Sequence, residues 1–199
     1  INALYLKWEV PPKKLTTFVE SVRLLNIRGC SVTIPHKVEL LPLLDEVSPL
    51  ARRVGAANTI YWKGESLCGE NTDVAGFMAP LANVSLAGAD VLLLGAGGAA
   101  RAVAAGLVTA APHNRPARVF VSTPSDKSHL TLADEFGLTP LLWQNRHEPT
   151  PLLVINTTPL GMRGKAEQDT PYDFSLGTPP APANDAKATP LAYDIVYNP

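Results

Sequence analysis

Val91-Leu92-Leu93-Leu94-Gly95-Ala96-Gly97-Gly98-Ala99-Ala100 joins a wholly apolar strand to a glycine turn, and the turn to an alanine-rich helix running to about Ala110. A strand without a polar face belongs in a sheet covered on both sides, as parallel sheets are. Gly95-x-Gly97-x-x-Ala100 matches the dinucleotide fingerprint in its alanine-ended form. Gly95 permits the tight turn, Gly97 lets backbone approach a pyrophosphate, and the small Ala100 lets helix and strand pack closely. The helix N-terminus then offers unpaired N–H groups and a positive dipole end to the phosphates. A merely structural turn is the competing reading. The apolar strand before the glycines and the small-residue helix after them favour the dinucleotide.

Downstream, strands and helices keep alternating. Arg118–Val121 reads as a strand, Leu130–Phe136 as a helix ended by Gly137, and Leu152–Asn156 and Ala192–Val196 as two further strands. That order implies a parallel sheet with right-handed crossovers. Pro179–Thr189 is expected as an exposed loop.

Upstream, the pattern is mixed. Leu4, Leu6, Trp8 and Val10 alternate with Tyr5, Lys7 and Glu9, which predicts a strand ended by Pro11-Pro12. Leu15, Phe18, Val19, Val22 and Leu25 share one face of a helix that Gly29 closes. Cys30–Ile34 predicts a strand and Lys37–Leu44 a short helix. Ser48-Pro49 starts another helix, serine as cap and proline in the first turn, which ends at Gly55. Ala57–Trp62 and Ser66–Gly69 form a hairpin around Lys63-Gly64, and Asn71–Leu81 runs into a helix. The fold class is therefore α/β in two domains. A mixed α/β domain is expected over residues 1–82, and a Rossmann-type parallel-sheet dinucleotide domain over 83–199.

Composition narrows the partners. The 199 residues carry 17 Lys and Arg against 18 Asp and Glu, a net charge of −1. Such balance gives no long-range pull toward nucleic acid or an anionic membrane. No apolar run approaches the ~20 residues of a membrane helix. Two cysteines, Cys30 and Cys68, form no disulfide framework or zinc spacing and fit a reducing cytoplasm. His36, His113, His129 and His147 lack metal-ligand spacing, so no metal is expected. Arg52-Arg53 reads most simply as a solvated helix face, with contact to a cofactor phosphate as the alternative. The 19 prolines exceed the usual ~5% and gather after Pro149.

The end of the strand after the fingerprint should discriminate NAD from NADP. Arg118–Val121 leads into Ser122-Thr123-Pro124-Ser125-Asp126-Lys127, with no acid at the immediate strand end. Ser122, Thr123 and Lys127 are candidates for a 2′-phosphate, which favours NADP with NAD as the alternative. Asp126 either repels that phosphate or takes a ribose hydroxyl.

Three polar clusters lie upstream: Ser31-Val32-Thr33-Ile34-Pro35-His36-Lys37, Gly55-Ala56-Ala57-Asn58-Thr59 and Gly69-Glu70-Asn71-Thr72-Asp73. Taken singly, each is also what turns and helix caps use. Taken together, they resemble the shikimate dehydrogenase family. Val32-Thr33-x-Pro35-x-Lys37, Ala57-Asn58-Thr59, Gly69-Glu70-Asn71-Thr72-Asp73 and Gly95-Ala96-Gly97-Gly98-Ala99-Ala100 occur in the family's order and approximate spacing. Asn156-Thr157-Thr158-Pro159-Leu160-Gly161-Met162 and Tyr193-Asp194-Ile195-Val196-Tyr197 extend the likeness over nearly the whole chain.

The resemblance implies NADP-dependent reduction of 3-dehydroshikimate to shikimate on the route to aromatic amino acids. It implies Lys37 and Asp73 as the catalytic pair, and Thr33, Asn58, Asp73 and Tyr197 as substrate ligands. It implies Gly95, Ala96, Gly97, Gly98 and Ala99 as the phosphate turn and Ile195 beside the nicotinamide. Lys37 suits the chemistry, since a positioned ammonium can stabilise charge on a ketone oxygen and donate a proton to it. Asp73 would orient that ammonium or bind a substrate hydroxyl. Two departures stand out. The family's Asn-Arg-Thr-x-x-Arg signature gives way to Ser122–Lys127, so a guanidinium fork is replaced by a point charge. The family's early Ser-x-Ser segment and late glutamine-bearing helix have no counterpart, and both are expected in a longer protein. An NAD-using quinate/shikimate dehydrogenase and a catalytically silent regulator that binds dinucleotide or shikimate are the alternatives. Oligomeric state stays open, a homodimer through the first domain included.

Overall fold

The computed structural model describes residues 2–164, 166–177 and 190–195. The chain forms two compact units, Ile1–Thr72 and Asp73–Pro199. The sequence expectation set the boundary at 82–83. The units part instead at Thr72/Asp73, just ahead of the helix Asp73–Met78.

In the first unit, α1 (Leu15–Leu24) lays Leu15, Val19 and Val22 into a core shared with Leu40, Ala51, Ala57, Ile60 and Leu67. The sheet contains β1 (Gly29–Ser31), β2 (Glu46–Val47), β3 (Thr59–Lys63) and β4 (Ser66–Glu70). Its order is β1-β3-β4-β2, with β1 and β4 antiparallel to β3 and β2 parallel to β4. The β3–β4 hairpin turns at Gly64, φ +62°, where the sequence places it. Between β2 and β3 lies α2 (Pro49–Val54). It is capped by Ser48 Oγ accepting from Ala51 N at 3.0 Å and ended by Gly55 at φ +69°.

Three local expectations are corrected. Residues 4–10 form no strand; Leu4, Leu6 and Trp8 stay 89%, 60% and 50% exposed. Alternation supplies the faces of a strand but not its hydrogen-bonding neighbour, and this segment has no ladder partner among the described residues. It is held by Trp8 edge-on to Phe18 at 5.6 Å and by His36 Nε2 donating to Val10 O at 2.8 Å. Residues 37–44 form successive turns and a short 3-10 helix over Leu41–Leu43 rather than an α-helix, because Pro42 has no N–H to donate. Gly29 does not close α1. That helix ends at Leu25 and Asn26, φ +49°, while Gly29 lies in β1, where an added Cβ would sit 2.6 Å from Ile60 O.

In the second unit, α3 (Asp73–Met78) is followed by a strictly parallel sheet. Its strands are β5 (Asp90–Leu94), β6 (Arg118–Ser122), β7 (Thr139–Pro140), β8 (Leu153–Asn156) and β9 (Leu191–Asp194), ordered β7-β6-β5-β8-β9. Helices α4 (Gly98–Val108) and α5 (Ser128–Phe136) join α3 on one face, packing on Val91, Leu93, Val121, Leu153 and Ile155. The other face carries Leu92, Leu94 and Val154. Tyr172, Leu141 and Trp143 cover it, from segments without a long helix. The expected loop over 179–189 lies outside the described residues, as does Val196 of the last predicted strand. Among the described residues no helix is long and apolar enough to cross a membrane.

Candidate active site

The chain leaves β5 for β6 and β7 on one side, then returns to β8 on the other. A topological switch therefore lies between β5 and β8, and ligands of such sheets bind at the carboxyl ends beside it. Register aligns those ends in one row: Ser122 opposite Leu94, Leu94 opposite Asn156, Asn156 opposite Asp194.

The two fingerprint glycines, Gly95 and Gly97, differ. Gly95 has φ +115°, and an added Cβ would lie 2.1 Å from Thr157 Oγ1. Thr157 is fixed there by donating both its N–H and its hydroxyl to Leu94 O, at 2.8 and 2.7 Å. Gly95 N in turn donates to Ser122 O at 2.9 Å, tying the turn to the end of β6. Gly97 is exposed and extended (φ −81°, ψ −170°), and a Cβ there would meet nothing within 4 Å. It is the N-cap of α4 and has no side chain with which to cap. The first-turn N–H groups, Gly98 and Ala99 among them, are thus left to an outside acceptor. Ala96 packs on the core and Ala100 is wholly buried. An open position at an uncapped helix start is what a pyrophosphate needs, so these residues fit a dinucleotide.

Ser122 and Thr123 are buried at the strand end, at 0% and 4% exposure. Ser122 Oγ has no hydrogen-bond partner among the described residues. Thr123 Oγ1 shares a hydrogen bond of 3.1 Å with Nδ1 of buried His129. Lys127 is exposed at the N-cap of α5. Asp126 Oδ1 accepts from Trp143 N at 2.7 Å, which occupies one carboxylate oxygen in bracing the loop.

Beyond β8, Asn156 Oδ1 accepts from Thr158 N (2.9 Å) and Thr158 Oγ1 (2.7 Å), and Asn156 Nδ2 donates to Asp194 Oδ1 at 3.1 Å. Ile195 N donates to Asn156 O at 3.2 Å, which places Ile195 at the same end of the sheet. Tyr197 lies outside the described residues. Thr157 and Asn156 had no individual role in the sequence reading. Their cue was present, hydroxyls and an amide directly after an apolar strand, but their partners lie far away in the chain.

In the first unit, Asn58 is the hub. Its backbone O accepts from Val32 N at 2.7 Å and its N donates to Glu70 O at 3.0 Å. Its side chain donates to Thr72 Oγ1 and accepts from Thr72 N, both at 2.9 Å. Ala57 N donates to Lys37 O at 2.8 Å, and His36 N to Thr33 O at 3.1 Å. Glu70 Oε1 accepts from Ser48 Oγ and Asn71 N, at 2.6 and 2.8 Å, and buried Asn71 donates to Ala56 O at 2.9 Å. The segments carrying Thr33 and Lys37, Asn58, and Thr72 are thus stitched into one surface. Thr33 is exposed and Lys37 half-buried on it. Asp73, half-buried, follows Thr72 and opens α3. Among the described residues no three metal-ligating side chains gather.

The family model described as the shikimate dehydrogenase substrate binding domain matches residues 1–60. A shikimate dehydrogenase (NADP(+)) of Pelobacter propionicus is 46% identical over 201 residues, covering 100% of this chain and 68% of that protein. The chain belongs to the shikimate dehydrogenase family. A second shikimate dehydrogenase (NADP(+)), from Oleidesulfovibrio alaskensis, is 43% identical and covers 100% of this chain and 67% of its own. Among solved structures, shikimate dehydrogenase from Aquifex aeolicus aligns with a TM-score of 0.84 at 30% identity, over 100% of this chain and 69% of that one. Shikimate 5-dehydrogenase from Thermus thermophilus, in complex with NADP(H) and shikimate, aligns with a TM-score of 0.77 at 34% identity, over 96% and 67%. Shikimate dehydrogenase membership agrees with the α/β fold of two units and the parallel sheet behind the glycine turn.

Proposed function

We propose that this protein reduces 3-dehydroshikimate to shikimate with NADPH, a step toward aromatic amino acids, and that Lys37 supplies the proton. The reading is supported by the stitched surface around Asn58. There Ala57 anchors the backbone of Lys37, and Thr72, held by Asn58, sets the start of the helix that Asp73 opens.

Bound NADPH supplies the hydride. Gly97, Gly98 and Ala99 present their amides to its pyrophosphate, and Gly95 keeps the turn closed on Thr157. As negative charge grows on the ketone oxygen, the Lys37 ammonium stabilises that oxygen and gives it a proton. Asp73 orients the ammonium or takes a ring hydroxyl of the substrate. Thr33, Asn58 and Tyr197 bind the remaining polar groups. Ser122 and Thr123, expected as direct ligands but buried at the strand end, instead carry the loop from which Lys127 meets the adenosine ribose, with Ile195 beside the nicotinamide. A cytoplasmic setting completes the reading, in keeping with two free thiols, Cys30 and Cys68.

The test is kcat/KM for shikimate and for quinate, each with NADP+ and with NAD+. Shikimate with NADP+ should be the best pair. A preference for quinate or for NAD+ would replace this reading, and tight binding without turnover would make the protein a sensor.

A further inference from the structure

The loop between β6 and α5 is braced from inside by a polar pair that the catalytic chemistry does not use. His129 is 1% exposed and Thr123 4%, and the two share their 3.1 Å hydrogen bond out of reach of solvent. Burying an imidazole and a hydroxyl together costs desolvation that an apolar pair of the same shape would avoid. Within the core alone, the pair gains little. What it does is fasten the residue just after β6 to the first turn of α5, at the two feet of the loop. Two further ties complete the brace. Asp126 N donates to Thr123 O at 3.0 Å, and Asp126, at φ +50°, accepts from Trp143 N at 2.7 Å. Gly95 N on Ser122 O, 2.9 Å, links the same foot to the glycine turn. The residues left outward on the braced loop are Pro124, Ser125, Lys127 and Ser128, all exposed. One of them is a cation and two carry hydroxyls. In a sheet of this topology, this strand end meets the ribose that does or does not carry a 2′-phosphate.

We propose that His129 is a positioning residue for cofactor choice. Acting through Thr123, it holds the β6–α5 loop so that Lys127 and the neighbouring hydroxyls meet the 2′-phosphate of NADP. This rests on the NADP reading above and names the internal device that sets the preference. A flexible lysine is a poor reader of phosphate geometry unless its backbone is held. The buried pair supplies that hold, where the family's guanidinium fork is missing.

The experiment is binding, not turnover. Titrate the protein with NADP+, NAD+, 2′,5′-ADP and 5′-AMP, following intrinsic fluorescence or heat, well below the melting temperature. Compare wild type with His129→Ala, Thr123→Val and Thr123→Ser. Both His129→Ala and Thr123→Val should weaken NADP+ and 2′,5′-ADP about tenfold while weakening NAD+ and 5′-AMP less than about threefold, since only the first pair carries the group the loop reads. The double variant should be no worse than either single one, as expected for partners in one interaction. Thr123→Ser, which keeps the hydroxyl, should recover most of the affinity. A role in stability alone would lower Tm and leave the ratio of NADP+ to NAD+ affinity unchanged, and that result overturns the proposal. Equal losses for all four ligands overturn it as well. If the wild-type protein binds none of them, the dinucleotide reading itself fails, and with it this inference.

Discussion

Gly95 and Gly97 stand two residues apart in one motif and do different work. Gly95 is demanded by the protein: its φ of +115° and the Thr157 hydroxyl 2.1 Å from any Cβ leave no room for a side chain. Gly97 is demanded by nothing in the described protein, since its ordinary backbone and empty surroundings would accept alanine. Gly95→Ala should therefore lower Tm, with about 1–3 kcal/mol from the backbone alone before the clash is counted. Gly97→Ala should melt like wild type yet bind NADP+ about tenfold more weakly, because the methyl stands where the pyrophosphate approaches. Calorimetry and a binding titration on the two variants check the contrast, and equal affinity in Gly97→Ala would mean that no phosphate comes there. The motif was legible in the sequence because its residues are neighbours. The role of Thr157 was not, because the contact that fixes Gly95 joins segments on two different strands.

Helix α2 shows what local chemistry settles by itself. Ser48 accepts from Ala51 N and donates to Glu70 Oε1, Pro49 fills the first turn, and Gly55 ends the helix in the left-handed region. All three signals lie within eight residues, so both helix ends were readable. Ser48→Ala should cost about 1–2 kcal/mol in a urea melt, since the cap and the bond to Glu70 go together. A loss under a few tenths would mean the cap carries no weight. Elements that depend on a distant partner were less legible. Residues 4–10 alternate as a strand would, but a strand is a property of a pair. Here the segment lines a groove of about 1370 Å³ together with residues of the edge strand β1. Across residues 37–44 the apolar spacing suggests a helix, and the missing N–H of Pro42 outweighs it. The candidate site divides the same way. Lys37, Asn58 and Asp73 were visible as motif residues, whereas the hub geometry of Asn58 required the folded chain.

Across the molecule as a whole, one titration should show in stability. His147 lies against Tyr172 with ring centroids 4.6 Å apart, and its Nε2 accepts from Asp173 N at 3.1 Å, which only a neutral ring can do. Burial, and next the nearby Arg146, pull its pKa below the ordinary histidine value, with Asp173 opposing. The unfolded chain thus takes up this proton at a higher pH than the folded one. The contribution is fully present above about pH 6.5 and is lost as pH falls through the folded value. Tm should drop between pH 7.5 and 5.5, and His147→Gln should flatten that drop. An equal drop in the variant would assign the effect elsewhere.

The most direct test of the catalytic account is the rate of NADPH oxidation by 3-dehydroshikimate, at saturating concentrations of both, in the wild-type protein and in Lys37→Ala. In the variant kcat should fall about 100-fold or more, with NADPH affinity unchanged, because the lysine serves the ketone oxygen and not the dinucleotide. A variant that turns over at nearly the wild-type rate would contradict it.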